Sequence, residues 1–359
     1  MGLVIGIPRE QLPYEYRVGM TPAGVSILTA QGHQCYVETG AGEGSGFPDA
    51  EYERAGARIT YNHDETFRRA DLLLKVQRPS LEEIAVMKEG QTLLCMVMVA
   101  VMHERMLQAM QEKHLTVIAY EMIREDDGRH PVMQPLSEIG GRMAAQIAAY
   151  YLQNNSGGKG ILLGGITGVP PADVVILGAG VVGTYATEAF LGLGARVIVL
   201  DHSLRALQRL QDRFHSAVTT MISYDFNLRR VVRFADVLLG AVHVPGQRTP
   251  VLITEDMVRT MRPGSLIIDM SIDQGGCVAT SHPTSHGNPI FVWENVTHYC
   301  VLNVPGAVGR TATHAFLNAA WPYIDRLAQH GLDAALAHSP ALGHGLILRD
   351  GEVLIDRGR

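Results

Sequence analysis

Four polar side chains stand where strands are expected to end, the place at which open α/β sheets bind ligands: Arg17, Lys75, Asp273 and Asn303. Arg17 follows the first expected strand and is either a planar fork for a carboxylate or a solvated loop arginine. Lys75 closes the apolar run Asp71-Leu-Leu-Leu, the third expected strand, so its ammonium either snorkels to the rim or faces a ligand. Asp273, in Met-Ser-Ile-Asp-Gln-Gly-Gly after the run Leu266 to Met270, is an acid placed for proton transfer or one that caps a glycine turn. Asn303 follows Tyr299 to Leu302.

A second constellation binds rather than reacts. Val174 to Leu177 reads as a strand, Gly178-Ala-Gly-Val-Val-Gly183 as a turn opening a helix, and Arg196 to Leu200 as the next strand, closed by Asp201. In such a dinucleotide turn Gly178 allows the sharp bend, Gly180 lets the backbone approach a pyrophosphate, and Gly183 lets helix and strand pack closely. The phosphates belong on the amino end of the helix, where N–H groups and dipole favour negative charge. Asp201, 23 residues beyond Gly178, suits a free ribose and repels a 2′-phosphate, so the expected cofactor is NAD rather than NADP.

Other chemistries lack their residues. The fifteen histidines contain neither H-E-x-x-H nor H-x-x-E-H, no metal is expected, and most histidines read as surface or structural. No Gly-x-Ser-x-Gly elbow occurs. The glycine-rich Thr39 to Gly46 lacks the Lys-Ser/Thr ending of a P-loop and reads as a flexible connection. The methionines read as core filler, and four scattered cysteines as reduced thiols of a cytoplasmic protein. A net charge of −6 without a basic cluster argues against nucleic acid. The longest apolar run, Thr92 to Met102, is about half of the ~20 residues that span a bilayer, and no signal peptide is expected, so no membrane partner is either.

These side chains need a scaffold of two cores, since 359 residues exceed what one usually serves. Strands are expected at Leu3 to Ile7, Gln34 to Glu38, Asp71 to Val76, Thr92 to Met102 and Leu115 to Tyr120, with helices between them, giving a parallel sheet covered on both faces. A long helix from Ile139 to Leu152 connects to the glycine turn, further strands lie at Val237 to Ala241 and Leu266 to Met270, and a second long helix, Ala312 to Gln329, precedes a tail of short turns. The expected fold is α/β, two doubly wound Rossmann-like domains with a cleft between them. Residues 1–131 and 306–359 form a discontinuous substrate domain, and 132–305 an inserted NAD-binding domain.

The chain resembles the alanine dehydrogenases, which are related to the NAD-binding part of transhydrogenase. The likeness rests on IGIPRE, Tyr16-Arg17-Val18, Thr21-Pro22-Ala23-Gly24-Val25, the GAGEGSG at 40–46, Asp71-Leu-Leu-Leu-Lys75-Val76, Leu136-Ser137-Glu138, Gly141-Arg142, Val175 to Gly183, Gly240-Ala-Val, Val244-Pro-Gly246 and Ile272 to Cys277. It implies that Arg17 and Lys75 hold the carboxylate and carbonyl of an amino acid, keto acid or imine, with Asn303 near the reacting centre. Lys75 and Asp273 are the implied catalytic pair. Ser137, Gly178, Gly180, Val182, Gly183, Asp201, Val242 and Asp273 are the implied surroundings of NAD, and a homo-oligomer, hexamer or dimer, is implied. One departure stands out: Met98, in Met-Val-Met-Val-Ala, occupies the place of the family's acid/base histidine in Leu-His-Leu-Ala, with His103 five residues on as a conceivable substitute. The resemblance implies an oxidoreductase acting on CH–NH2, its substrate altered from alanine and pyruvate; the alternative is a silent NAD-sensing relative or a transhydrogenase-like subunit.

Overall fold

The computed structural model describes residues 2–244 and 247–355. The chain forms two compact units, Met1–Leu136 with Gly306–Arg359, and Ser137–Pro305. In chain order, the first unit has β1 (Val4–Ile7), β2 (Gln34–Glu38), β3 (Arg58–Thr60), β4 (Leu72–Gln77), β5 (Thr92–Met96) and β6 (Thr116–Ala119). The second has β7 (Asp173–Leu177), β8 (Arg196–Asp201), β9 (Val218–Ile222), β10 (Val237–Gly240), β11 (Leu266–Asp269), β12 (Ile290–Trp293) and β13 (Val296–Tyr299). The chain then returns to the first unit with β14 (Leu346–Arg349) and β15 (Glu352–Val353).

Both sheets are doubly wound. The first runs β15-β14-β6-β5-β4-β1-β2-β3 and the second β12-β13-β11-β10-β7-β8-β9, so strand order reverses between β1 and β4 in one and between β7 and β10 in the other. Ligands of such sheets bind at those reversals. The central strands are apolar on both faces because both are covered: Val174 and Ile176 of β7 enter one core, Val175 and Leu177 the opposite one. Beyond β6, β14 and β15 add antiparallel, as does β12 on β13.

Several expectations need correction. The tail is not a run of turns: helix Pro340–Gly345 precedes β14 and β15, whose pairing with β6 makes the sheet mixed at that edge. The apolar run from Thr92 stops being a strand at Met96, because Met98 turns left-handed at φ 59° and Val99–Val101 is a short 3-10 turn. Lys75 lies inside β4, the fourth strand rather than the third, since β3 went unread. The strand before Asn303 ends at Tyr299. Gly309–Ala337 extends the expected helix and breaks at Gly331. The loop from Thr39 to Gly46 is built rather than flexible: Asp49 accepts from Thr39 Oγ1 and Gly40 N–H, and buried Ser45 bonds the Tyr16 carbonyl and Thr313. Helices His63–Arg69, Leu81–Val86 and Asp225–Val232 were not anticipated.

Candidate active site

In the first unit, Arg17 is not a solvated loop arginine, being only 2% exposed. Its backbone is pinned on both sides, Ser45 Oγ donating to the Tyr16 carbonyl and Val18 N–H donating to Thr313 Oγ1. Its Nε and Nη2 donate to Glu15 Oε1 and Oε2 at 2.7 and 2.6 Å, a two-pronged pair of the kind that fixes a guanidinium plane. Burial works to raise the Glu15 carboxyl, but Arg17 outweighs it and holds it below the usual range. Gln77 Nε2, at the end of β4, donates to Glu15 at 2.9 Å. Arg17 and the Lys75 strand are thereby tied together.

Lys75 is 1% exposed, and its Nζ sits 2.9 Å from Glu83 Oε1 and 3.3 Å from Glu10 Oε2. An ammonium keeps its charge in a dry interior only when so paired. Burial pulls the Lys75 pKa down, yet Glu10 and Glu83 together raise it above the ordinary lysine range. Two carboxylates on three N–H donors leave one donor of Lys75 unassigned among the described residues. Both acids are held by backbone: Val76 N–H donates to Glu10 Oε1 at 2.6 Å, and Ser80 N–H to Glu83 Oε2 at 2.7 Å. The second bond closes a capping box, Ser80 Oγ accepting in return from Glu83 N–H. That leaves Glu83 Oε1 turned toward Lys75 and, at 3.2 Å, toward His63 Nε2.

His63, Glu10 and Glu83 were missed from sequence. The signal available for Glu83 was Ser-Leu-Glu-Glu opening a helix. Nothing local marked His63, which pairs with Glu38 at 2.7 Å and Glu83 at 3.2 Å and is pushed up to about 9 by those hydrogen bonds. Met98 is half-buried just beyond β5, between Val97 and Val99, whose N–H groups donate to the two oxygens of Glu121 at 3.2 Å each. His103 is exposed at the cap of helix Glu104–Glu112, and no hydrogen bond joins it to Lys75 among the described residues.

In the second unit the glycine turn follows β7 as expected. Gly178 has φ +106°, and a Cβ there would stand 2.4 Å from the Ala241 carbonyl oxygen, so only glycine fits where β7 passes β10. At Gly183 a Cβ would fall 1.9 Å from the Gly178 carbonyl oxygen, which is what close helix–strand packing demands. Above Gly180, the cap of helix Val181–Gly192, the space is open. Val182 lies half-buried in the first turn of that helix. Asp201 closes the turn from below, its Oδ2 accepting from Ala179 N–H and its Oδ1 from Ser203 N–H, each at 2.7 Å. An open helix amino end over a carboxylate-braced turn is the cradle that a pyrophosphate and a ribose need.

Asp273 sits on the short turn Ile272–Gln274 after β11, and both its oxygens face Asn303 N–H, at 3.1 and 3.4 Å. The two are therefore neighbours, and Asn303 achieves this with φ 54°, a backbone asparagine tolerates. A buried acid that sequence reading overlooked, Asp269, accepts from Ser271, Cys277 and Val278 N–H and so anchors the loop presenting Asp273. Its mark was an acid closing Leu-Ile-Ile. Ser271 Oγ accepts from Val242 N–H at 3.0 Å, bringing Val242 beside that loop; of the 240–246 segment, Pro245 and Gly246 lie outside the described residues. Ser137 stands one turn before Gly141, where a Cβ would press 2.5 Å from the Val182 carbonyl, so this helix packs closely on the one carrying the glycine turn. Among the described residues no group of three His, Cys, Asp or Glu could hold a metal, and no helix is long and apolar enough to cross a membrane.

The first unit thus offers a buried guanidinium and ammonium, and the second an open helix amino end at a glycine turn with a carboxylate at a strand end. Known proteins are similar to this chain over nearly its whole length. Residues 6–140 match the profile "Alanine dehydrogenase/PNT, N-terminal domain" and residues 144–356 "Alanine dehydrogenase/PNT, C-terminal domain". The alanine dehydrogenase of Halomonas elongata is 44% identical, covering 97% of this chain and 94% of its own. A solved L-alanine dehydrogenase superposes with a TM-score of 0.92 at 40% identity, over 98% of this chain and 97% of its own. A transhydrogenase from Sinorhizobium meliloti, 24% identical with a TM-score of 0.82 over 98% of each chain, shares the fold. With both profiles covering nearly its whole length and such identity throughout, the chain belongs to the alanine dehydrogenase family of oxidoreductases.

Proposed function

We propose that this protein is an NAD-dependent oxidoreductase moving a hydride between nicotinamide C4 and the Cα of a small amino acid or its imine or keto acid. The observation that carries the reading is the buried pair Arg17 and Lys75, each paired with carboxylates inside the first unit. Two desolvated cations tied together through Glu15 and Gln77 are costly to fold around and match a carboxylate beside a carbonyl. Arg17 anchors the carboxylate. Lys75 polarises the carbonyl or imine, and Asp273, steadied on Asn303 N–H, exchanges a proton with the reacting centre. Bound NAD supplies the hydride acceptor. Ser137, Val182, Val242 and the glycines 178, 180 and 183 line its place, and Asp201 receives the ribose and turns away a 2′-phosphate.

Met98 stands, in this reading, where the family keeps its acid/base histidine. Methionine carries no proton and lines the site with an apolar side chain, which suits a bulkier or preformed imine better than pyruvate with ammonia. The test is turnover of L-alanine with NAD, of pyruvate with ammonia and NADH, and of a panel of cyclic imines, in the unmodified protein and in Met98→His. Alanine oxidation should rise at least ~10²-fold in Met98→His, the amount a positioned acid/base supplies. A rate unchanged by the substitution, in either direction, defeats the assignment of Met98, and NAD binding without turnover on any substrate favours a sensing role.

A further inference from the structure

We propose that His63 and Glu83 form a proton relay that carries protons between solvent and the Lys75 ammonium. The inference rests on the reading of Lys75 as the group against the substrate's oxygen. Lys75 Nζ and His63 Nε2 meet on one and the same atom, Glu83 Oε1, at 2.9 and 3.2 Å. Both distances lie at hydrogen-bond range, so a single oxygen can take a proton from one nitrogen and give it to the other. The other oxygen, Oε2, is committed to the backbone by the Ser80 capping box and cannot rotate away without breaking the cap.

Solvent access is graded along the path. The side chains of Lys75, Glu10 and Glu83 are 1, 2 and 5% exposed, whereas that of His63 is 25% exposed. While substrate covers it, an ammonium so enclosed that gives up a proton cannot recover it from water directly, and of these four side chains His63 is the most exposed. The imidazole is held in line from its other edge, Nδ1 lying 2.7 Å from Glu38 Oε2, which also accepts from Arg9 N–H. Gln11 Nε2 approaches Nδ1 at 3.5 Å, and the Phe67 ring on its own helix packs at 4.9 Å. Asp64 and Glu65 of that helix are paired with Arg68 and Arg69. Glu38 and Glu83 are thus the carboxylates that face His63, with Lys75 and Glu10 one bond further.

In amino-acid formation ammonia adds to the carbonyl carbon as Lys75 donates a proton to the carbonyl oxygen and becomes an amine; His63 passes its Nε2 proton to Glu83 Oε1, Glu83 passes it to Lys75 Nζ, and water reprotonates His63. A second proton delivered the same way, as the added nitrogen gives up one of its own, lets that oxygen leave as water, and the protonated imine left behind takes the hydride at Cα. Hydride comes from the reduced cofactor of the established oxidoreductase class. The relay supplies a route for protons that does not pass through position 98.

Two variants of the full chain test it. His63→Gln keeps a donor toward Glu83 but cannot cycle a proton, and Glu83→Gln preserves the capping box, which accepts glutamine. Each should lower kcat for the reductive direction at least ~10-fold with KM unchanged, less than the ~10²-fold of a group acting on the substrate itself because the relay only resupplies Lys75. The unmodified enzyme should lose reductive kcat as pH rises through about 9, where His63 gives up its proton, and both variants should lack that limb. Added imidazole should restore part of the rate to His63→Gly. A readout free of turnover is exchange of the Lys75 ammonium protons with water, followed on protein carrying 15N at lysine Nζ with Lys75→Arg as the assignment control. Exchange should slow at least ~10-fold in both variants. Unchanged exchange overturns the relay, including when kcat falls, since a merely structural role would lower the rate alone. Slowed exchange in a protein that turns over no substrate keeps the relay and removes the reading of the substrate site instead.

Discussion

Replacing Lys75 by methionine keeps the side chain's length and removes its charge, so it separates what the ammonium does for folding from the shape it fills. Glu83 retains His63 as a partner after the change, but Glu10, 2% exposed, loses the cation that faces it. Breaking a buried ion pair from one side costs about 3–5 kcal/mol, and the surviving His63–Glu83 pair places this case near 3. A loss of about 3 kcal/mol in a unit of this size lowers its melting midpoint by roughly 6–12 °C. The pH dependence identifies the cause. Burial already raises the Glu10 carboxyl above 4.5, against the pull of Lys75, and removing that pull raises it further. A carboxyl whose folded pKa exceeds its unfolded one binds more protons folded than unfolded between the two values, so stability falls as pH rises through that window. The deficit of Lys75→Met should therefore be small below the ordinary carboxyl value of about 4.5 and grow as pH rises above it. Thermal unfolding of both proteins from pH 4 to 9, with Lys75→Met/Glu10→Gln as the rescue, checks this. A deficit equal at all pH values, or one that Glu10→Gln fails to reduce, would show that the carboxylate is not the source.

Two further substitutions address the cradle. Asp201→Ala should lower the preference for NADH over NADPH in fluorescence titrations and weaken both, because it removes the ribose acceptor together with the brace on Ala179 and Ser203 N–H; equal affinity of the unmodified protein for the two cofactors would refute the role. Gly183→Ala forces a methyl to within 1.9 Å of the Gly178 carbonyl oxygen and should cost about 3 kcal/mol or more in the second unit while abolishing NADH binding; a variant that binds as the parent does would refute the packing account.

What could be read without a structure is what depends on neighbours along the chain. The turn Gly178 to Gly183 and Asp201 belong to one strand–turn–helix–strand unit, so spacing alone revealed bend, open cap and closing acid. Apolar runs on both faces of β7 and β8 announced a covered sheet for the same reason, since side-chain direction alternates within each strand. Arg17 and Lys75 could be singled out as candidates, but their condition could not. Whether a cation is solvated or buried is decided by what packs over it: Glu15 and Gln77 over one, Glu10 and Glu83 over the other. Those partners come from a loop after β1, a strand end and a helix cap, and only strand order brings them to one point. The same holds for His63, an unremarkable residue until Glu38 and Glu83 meet its two nitrogens, and for the tail, whose short β14 becomes a strand by pairing with β6 more than two hundred residues upstream. Local sequence determined the glycine turn and the identity of the charged residues; long-range packing decided which of them are dry and which are paired.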